Sequence, residues 1–277
     1  MKKYIPAAVC SLFCVAICAQ IKLETKKYMV SDLYEKPMEI VLTGNARLDS
    51  ALRSSVQDVW YISSFEFCTR EQFEKRKTSD EFFFMVLVDS TYTEENLRGI
   101  SRLTVFKGSP KAGSGIKGLN RIAYVPFMGT DRDGVRESAF VPAFVDVLQK
   151  HISFILSREF NIGSCVRVNA SDAIGKWTKP VMISRNDLAD ASVPGGMTGD
   201  SVIITDDGHL AKAMTDRAGD CLVGYVAGPS SPGEKSECVT MVIDPQTNEI
   251  YYMNKRGANA LNPCGFTYSE IKNFSNR

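Results

Sequence analysis

Seven consecutive residues, Phe82-Phe83-Phe84-Met85-Val86-Leu87-Val88, carry neither a charge nor a hydrogen-bonding side chain. Side chains alternate sides along a strand, so a strand of this composition is apolar on both faces and needs cover on both. The length of the run and its content of Phe and Val fit a strand rather than a helix. A sheet with layers on either side is the frame into which the rest must fit.

Elements of both kinds surround this run. Met38 to Thr43 reads as a strand. Asn45 is a helix N-cap, followed by Leu48, Ala51, Leu52, Val56 and Val59 at helical spacing. Thr69-Arg70-Glu71-Gln72 is a capping box, with Cys68 and Phe73 at the staple positions. Arg102 to Lys107 and Arg121 to Phe127 read as strands joined by a Gly-rich loop. From Phe140 to Phe160, Val141, Phe144, Val145, Leu148, Ile152 and Ile155 share one face of a long helix. Asp146, Lys150 and His151 within it argue against a membrane span, since charges in mid-bilayer are costly. It reads as a docking helix.

Beyond residues 161–178, polar and containing Gly163 and Gly175, the pieces shorten. Pro180–Ile183 and Ser201–Thr205 read as strands, each followed by a short helix. Asp220–Ala227 and Glu237–Asp244 read as further strands, and Asp244 to Met253 as a hairpin. The fold class is α/β or α+β, with two mixed sheet-and-helix domains after a cleaved signal peptide. The divisions are 1–19 signal peptide, 20–160 α/β domain, 161–178 linker, and 179–277 a smaller α+β domain ending in a β-hairpin and short helix. Ile40-Val41-Leu42-Thr43, Val181-Met182-Ile183-Ser184 and Val202-Ile203-Ile204-Thr205 echo one another, each a strand whose last residue can cap a helix. Any α/β chain obeys that syntax, so the echo reads as grammar rather than duplication.

The N-terminus carries Lys2 and Lys3, an apolar stretch from Tyr4 to Ile17, and small residues at Cys18-Ala19-Gln20. This is the order of a secretory signal, cut between Ala19 and Gln20. The apolar stretch falls short of the roughly 20 residues a spanning helix needs. Bulky Ile17 disfavours a lipid anchor on Cys18. The expected location is the periplasm or outer cell envelope, with no transmembrane helix in the mature chain. Removing two lysines leaves 31 basic against 32 acidic residues. That balance, with no basic stripe, argues against nucleic acid as a partner. Cys68, Cys165, Cys221, Cys238 and Cys264 remain, too widely spaced for a zinc site, and their pairing is not readable.

Several motifs imitate chemistry. Gly113-Ser114-Gly115-Ile116-Lys117-Gly118 spells a dinucleotide fingerprint, but a strand rather than the required helix follows. Ser114-Gly115-Ile116-Lys117 and Ser269-Glu270-Ile271-Lys272 spell S-x-x-K without its companion motifs. Thr130-Asp131-Arg132-Asp133-Gly134 opens like a calcium loop, but Pro142 occupies its twelfth position. Two distant histidines, His151 and His209, build no triad. No catalytic, cofactor or metal set is assigned. The residues marked for ligand or partner contact are Trp177, placed in a polar segment and so better exposed than Trp60, with Gly113, Gly115, Gly195 and Gly196. The loops 108–118 and 193–199 would gate a crease between the halves.

The pattern Leu48, Ala51, Leu52, Val56, Trp60, followed by Phe65-Glu66-Phe67, resembles exported Bacteroidetes proteins of no assigned activity, whose leaders are also similar to this one. The strand–helix–strand–helix start is distantly similar to the N-terminal domain of TolB-type envelope proteins. The resemblance covers residues 38 to about 90, rests on hydrophobic positions and implies partner contacts rather than chemistry. The leading expectation is a non-enzymatic envelope protein that binds a protein partner or small envelope ligand. The rivals are an exported hydrolase using carboxylates and an assembly subunit pairing through the edge of the Asp244 hairpin.

Overall fold

The computed structural model describes residues 24–93, 97–158, 162–166, 174–189 and 200–276. The expected leader (residues 1–19), part of the expected linker (161–178), and Gly195 and Gly196 with their loop lie outside the described residues. After β1 (Glu24–Thr25), the first sheet takes β2 (Met38–Val41), β3 (Phe65–Cys68), β4 (Phe83–Val88), β5 (Ile100–Lys107) and β6 (Asn120–Gly129). Its order is β3-β2-β4-β5-β6. The β2 strand pairs in parallel with β3 and β4, and β4-β5 and β5-β6 are antiparallel. A short strand, β7 (Ile162–Gly163), pairs with β1. The segment that follows it bonds to Tyr124 of β6 through Ser164 and Val166.

The second sheet takes β8 (Val181–Ser184), β9 (Val202–Thr205), β10 (Leu222–Ala227), β11 (Ser236–Ile243) and β12 (Ile250–Ala258), with β9 at one edge and β12 at the other. The β8 strand pairs in parallel with β9 and β10, and the last two pairings are antiparallel. Five α-helices complete the described residues: α1 (Ala46–Val59), α2 (Arg70–Arg76), α3 (Val141–Ser157), α4 (Asp207–Thr215) and α5 (Tyr268–Ser275). Two mixed sheets with helices about them make the fold class that the alternation of elements predicts.

Local chemistry sets the helix starts. Asn45 Oδ1 accepts from the backbone N–H groups of Arg47 and Leu48. Thr69 and Gln72 close the capping box on α2, and Thr267 with Glu270 closes another on α5. Pro142 falls in the first turn of α3, where its missing N–H costs nothing. Residues Glu137–Ser157 are long and apolar enough to cross a membrane, but most of this length is buried inside the protein. Asp146 accepts from Asn248 Nδ2 at 2.9 Å and Lys150 donates to the Thr247 carbonyl at 2.6 Å, so the charges of α3 hold the turn before β12.

The β4 strand separates two cores. Phe83, Met85 and Leu87 enter the central cluster, which also holds faces of α1, α3 and α4 and the inner residues Val223, Tyr225, Val239 and Met241 of the second sheet. Phe84, Val86 and Val88 enter an outer cluster with Phe73 of α2 and Ile116. The far face of the second sheet carries a third cluster under Ile271 and Phe274 of α5.

The two sheets share one strand order: a central strand with two parallel neighbours, then two antiparallel strands, then a helix. The β8 strand therefore occupies the place of β2, and the echo between Ile40-Val41-Leu42-Thr43 and Val181-Met182-Ile183-Ser184 joins topologically equivalent strands. The third echo, Val202 to Thr205, is β9 and matches the place of β3. The faces are not mirrored. The helix between β3 and β4 lies on the outer side of the first unit, whereas its equivalent α4 lies in the central core. The helix closing the first unit, α3, is central, and its equivalent α5 is outer. The units are stacked face to back, a heterologous arrangement rather than a two-fold one.

Candidate functional site

The crease between the halves, expected as a ligand site, is filled. Tyr225 packs its ring at 4.5 Å from Phe140 and 5.2 Å from Phe144, and its hydroxyl donates to the Phe127 carbonyl. Beside it the Arg136 guanidinium forks both oxygens of Asp187, with Nη1 to Oδ1 at 2.7 Å. Its Nε faces Asp207 at 3.4 Å. Burial holds the Asp187 carboxyl above the usual carboxylate range against the pull of Arg136. Nearby, Gly129 leaves no room for a side chain: a Cβ there would lie 2.2 Å from the Gly228 carbonyl oxygen. Arg136 thus acts across the junction as a clasp.

The glycine loop is also closed. It joins β5 to β6 on the outer face of the first sheet, and no helix follows it. Lys77 donates to the Gly115 carbonyl at 2.7 Å, and Ile116 N–H donates to the Tyr92 carbonyl. Gly115 has φ +56, and a Cβ there would meet the Tyr92 oxygen at 1.9 Å. Gly113 N–H donates to the Lys117 carbonyl. The loop is a packed strand connection of the first unit and does not lie over the junction, which corrects its expected gating role. Asp131 accepts from the backbone N–H groups of Ser230 and Ser231, and Asp133 from that of Val135. Among the described residues no group of His, Cys, Asp or Glu is arranged to hold a metal ion. His151 meets the Gly163 carbonyl, and His209 meets Asp206.

Trp177 lies elsewhere and differently from its expectation. It is 8 % exposed, not presented to solvent. The segment entering β8 lays its indole on the outer core of the second sheet, 5.5 Å from the Phe274 ring and 6.4 Å from that of Tyr251. A half-open cavity of about 150 Å³ opens beside it, lined by Lys176, Trp177, Thr178, Lys179, Leu222 and Tyr251. Two aromatic rings and a leucine make its apolar wall. Lys179 is held by Asp244 at 2.7 Å, and the Asp244 carboxylate is fixed in turn by the N–H groups of Gln246 and Thr247. Lys176, also in the lining, is exposed. A cavity of this order takes a benzene-sized group, less than a whole cofactor needs.

Trp177 was legible as a candidate from its place in the polar segment 161–178. Leu222 and Tyr251 were not, because only the strand order of the second sheet brings them to it. Gly113 and Gly115 are on the outer face of the other sheet, so the structure does not join them to Trp177. Comparison of the chain with protein-family models, with curated proteins and with solved structures found no match.

Proposed function

We propose that this chain is an exported protein of the cell envelope that binds through the cleft beside Trp177. The cleft takes a small ring-bearing, anionic group, either free or at the tip of a partner. The observation that carries the reading is the composition of that cavity: Trp177, Tyr251 and Leu222 line it together with the exposed Lys176. Aromatic walls favour a flat or apolar ring face, and an exposed cation favours a negative substituent. The leader-like N-terminus supports export, and the resemblance to envelope proteins that serve partner contacts agrees with a binding role.

The test is photo-crosslinking in the exporting cell, with a photoreactive residue at Lys176 or Thr178, and at the exposed loop residue Leu261 as control. A discrete adduct from the two cleft positions, absent from the Leu261 control and lost on Tyr251→Ala, is the expected result. Equal labelling at all three positions, or none above background, overturns the cleft as the binding site.

A further inference from the structure

Three of the five cysteines beyond the leader are structural in their surroundings. Cys68 is buried beside Glu39, and burial first, then that carboxylate, pushes its thiol up to about 12. Cys221 is buried just before β10, and Cys165 lies against Tyr124. The remaining two, Cys238 and Cys264, meet each other. Cys238 sits in β11 with its side chain in the outer core of the second sheet. Cys264 lies in the loop that leads from β12 to α5.

The meeting is set by backbone. Gly265 N–H, next to Cys264, donates to Cys238 Sγ at 3.3 Å. The Cys264 thiol reaches the carbonyl of Glu237, next to Cys238, at 3.8 Å. A Cβ on Gly228 would stand 2.7 Å from Cys264 Sγ and 3.4 Å from Cys238 Cα, so both cysteines close over that one glycine. The interaction between the two neighbouring thiols lowers the Cys238 pKa and raises that of Cys264. Cys238 is fully buried, whereas Cys264 is only half-buried.

We infer that Cys238 and Cys264 are a redox site that closes to a disulfide on meeting a disulfide donor of the thiol-exchange class. The Cys264 thiol passes its proton to the neighbouring Cys238 thiolate, the member of the pair with the lowered pKa, and attacks one donor sulfur, which releases the first donor thiol and leaves a mixed disulfide on Cys264. Cys238, its proton given up to that released sulfur, then attacks the Cys264 sulfur as thiolate and displaces the second donor sulfur as thiolate. The cysteine proton and two electrons end on the two donor sulfurs, and one S–S bond replaces another. The other three cysteines have no such neighbour among the described residues and stay reduced.

The closed form ties β11 to the loop that also holds the junction. Phe266 N–H donates to the Asp187 carbonyl, and Ala189 N–H to that of Phe266. The same short stretch therefore carries the cysteine, the support for Asp187 and the start of α5. The inference is independent of the proposed function, because the reaction needs only the folded chain and a donor.

The experiment is incubation of the purified full chain with oxidised and reduced glutathione at graded ratios, followed by acid quench, alkylation and peptide mapping. The expected product is one intramolecular link between the Cys238 and Cys264 peptides, with Cys68, Cys165 and Cys221 alkylated. Reduction should then lower the melting temperature by about 5 °C or more, and Cys264→Ser should abolish that difference. Recovery of both cysteines alkylated under oxidising ratios, or only as separate glutathione adducts, overturns the inference. The mapping on the wild-type chain decides the matter even if the variant fails to fold.

Discussion

Glu270 takes five hydrogen bonds on its two oxygens. Thr240 Oγ1 at 2.6 Å, Tyr252 OH at 2.9 Å and Asn254 Nδ2 at 3.1 Å donate to Oε1, and the Thr267 backbone N–H and hydroxyl donate to Oε2. One side chain thus serves a capping box and ties α5 to two strands. Burial works to raise its pKa, and the hydrogen bonds from Thr240, Thr267 and Asn254 outweigh burial, so the carboxyl lies below its ordinary 4.5. Its contribution to stability is complete above that unfolded value and is lost as the pH falls through the lower folded one. Glu270→Ala leaves buried donors unanswered and should cost roughly 2–4 kcal/mol in urea denaturation at neutral pH. Glu270→Gln keeps the size of the side chain, and its stability should fall less steeply between pH 4.5 and the acid limit than that of the wild type. An unchanged acid slope would show that Glu270 titrates as it does in the unfolded chain.

At the scale of elements, the capping box on α2 lends itself to a direct measurement. Thr69→Ala removes the side chain that receives Gln72 N–H and should cost about 1 kcal/mol, with faster amide exchange confined to the first turn of α2. Exchange spreading into β2 would mean that the helix start also governs the sheet. Signals of this kind, carried within four or five residues, were legible in the chain: Asn45, the box at Thr69, the apolar run of β4 and the hairpin after Asp244; the box at Thr267 was not read. What was not legible depends on partners far apart in sequence. Parallel neighbours do not announce themselves, because β2 meets β3 and β4 only after intervening helices, and the strand order follows from packing. The exposure expected of Trp177 failed for the same reason. Its neighbours in sequence are polar, while Tyr251 and Phe274 arrive from the end of the chain. Arg136 and Asp187 each look like ordinary surface residues until the two units are stacked. The echo at Val181 was visible, but its meaning required the order of both sheets.

For the whole molecule, the central cluster draws on both units without a break, from Met38 and Phe83 to Tyr225 and Met241. Such a core should melt as one. The chain's two tryptophans report separately, Trp60 from the first unit and Trp177 from the second. Trp60→Phe and Trp177→Phe variants should therefore give coincident denaturation midpoints once each is corrected for its own stability against far-UV circular dichroism. Two separated transitions would mean that the units hold their own folds and that the junction is only a contact. The face-to-back stack has one more consequence. A pair joined about a two-fold axis presents the same surface at both ends, but this molecule does not. One end is the short, charged α2 with its glycine loop; the other is α5, the aromatic cleft and the cysteine pair. The protein accordingly has a front and a back, and a neighbour that reads one end finds a different text at the other.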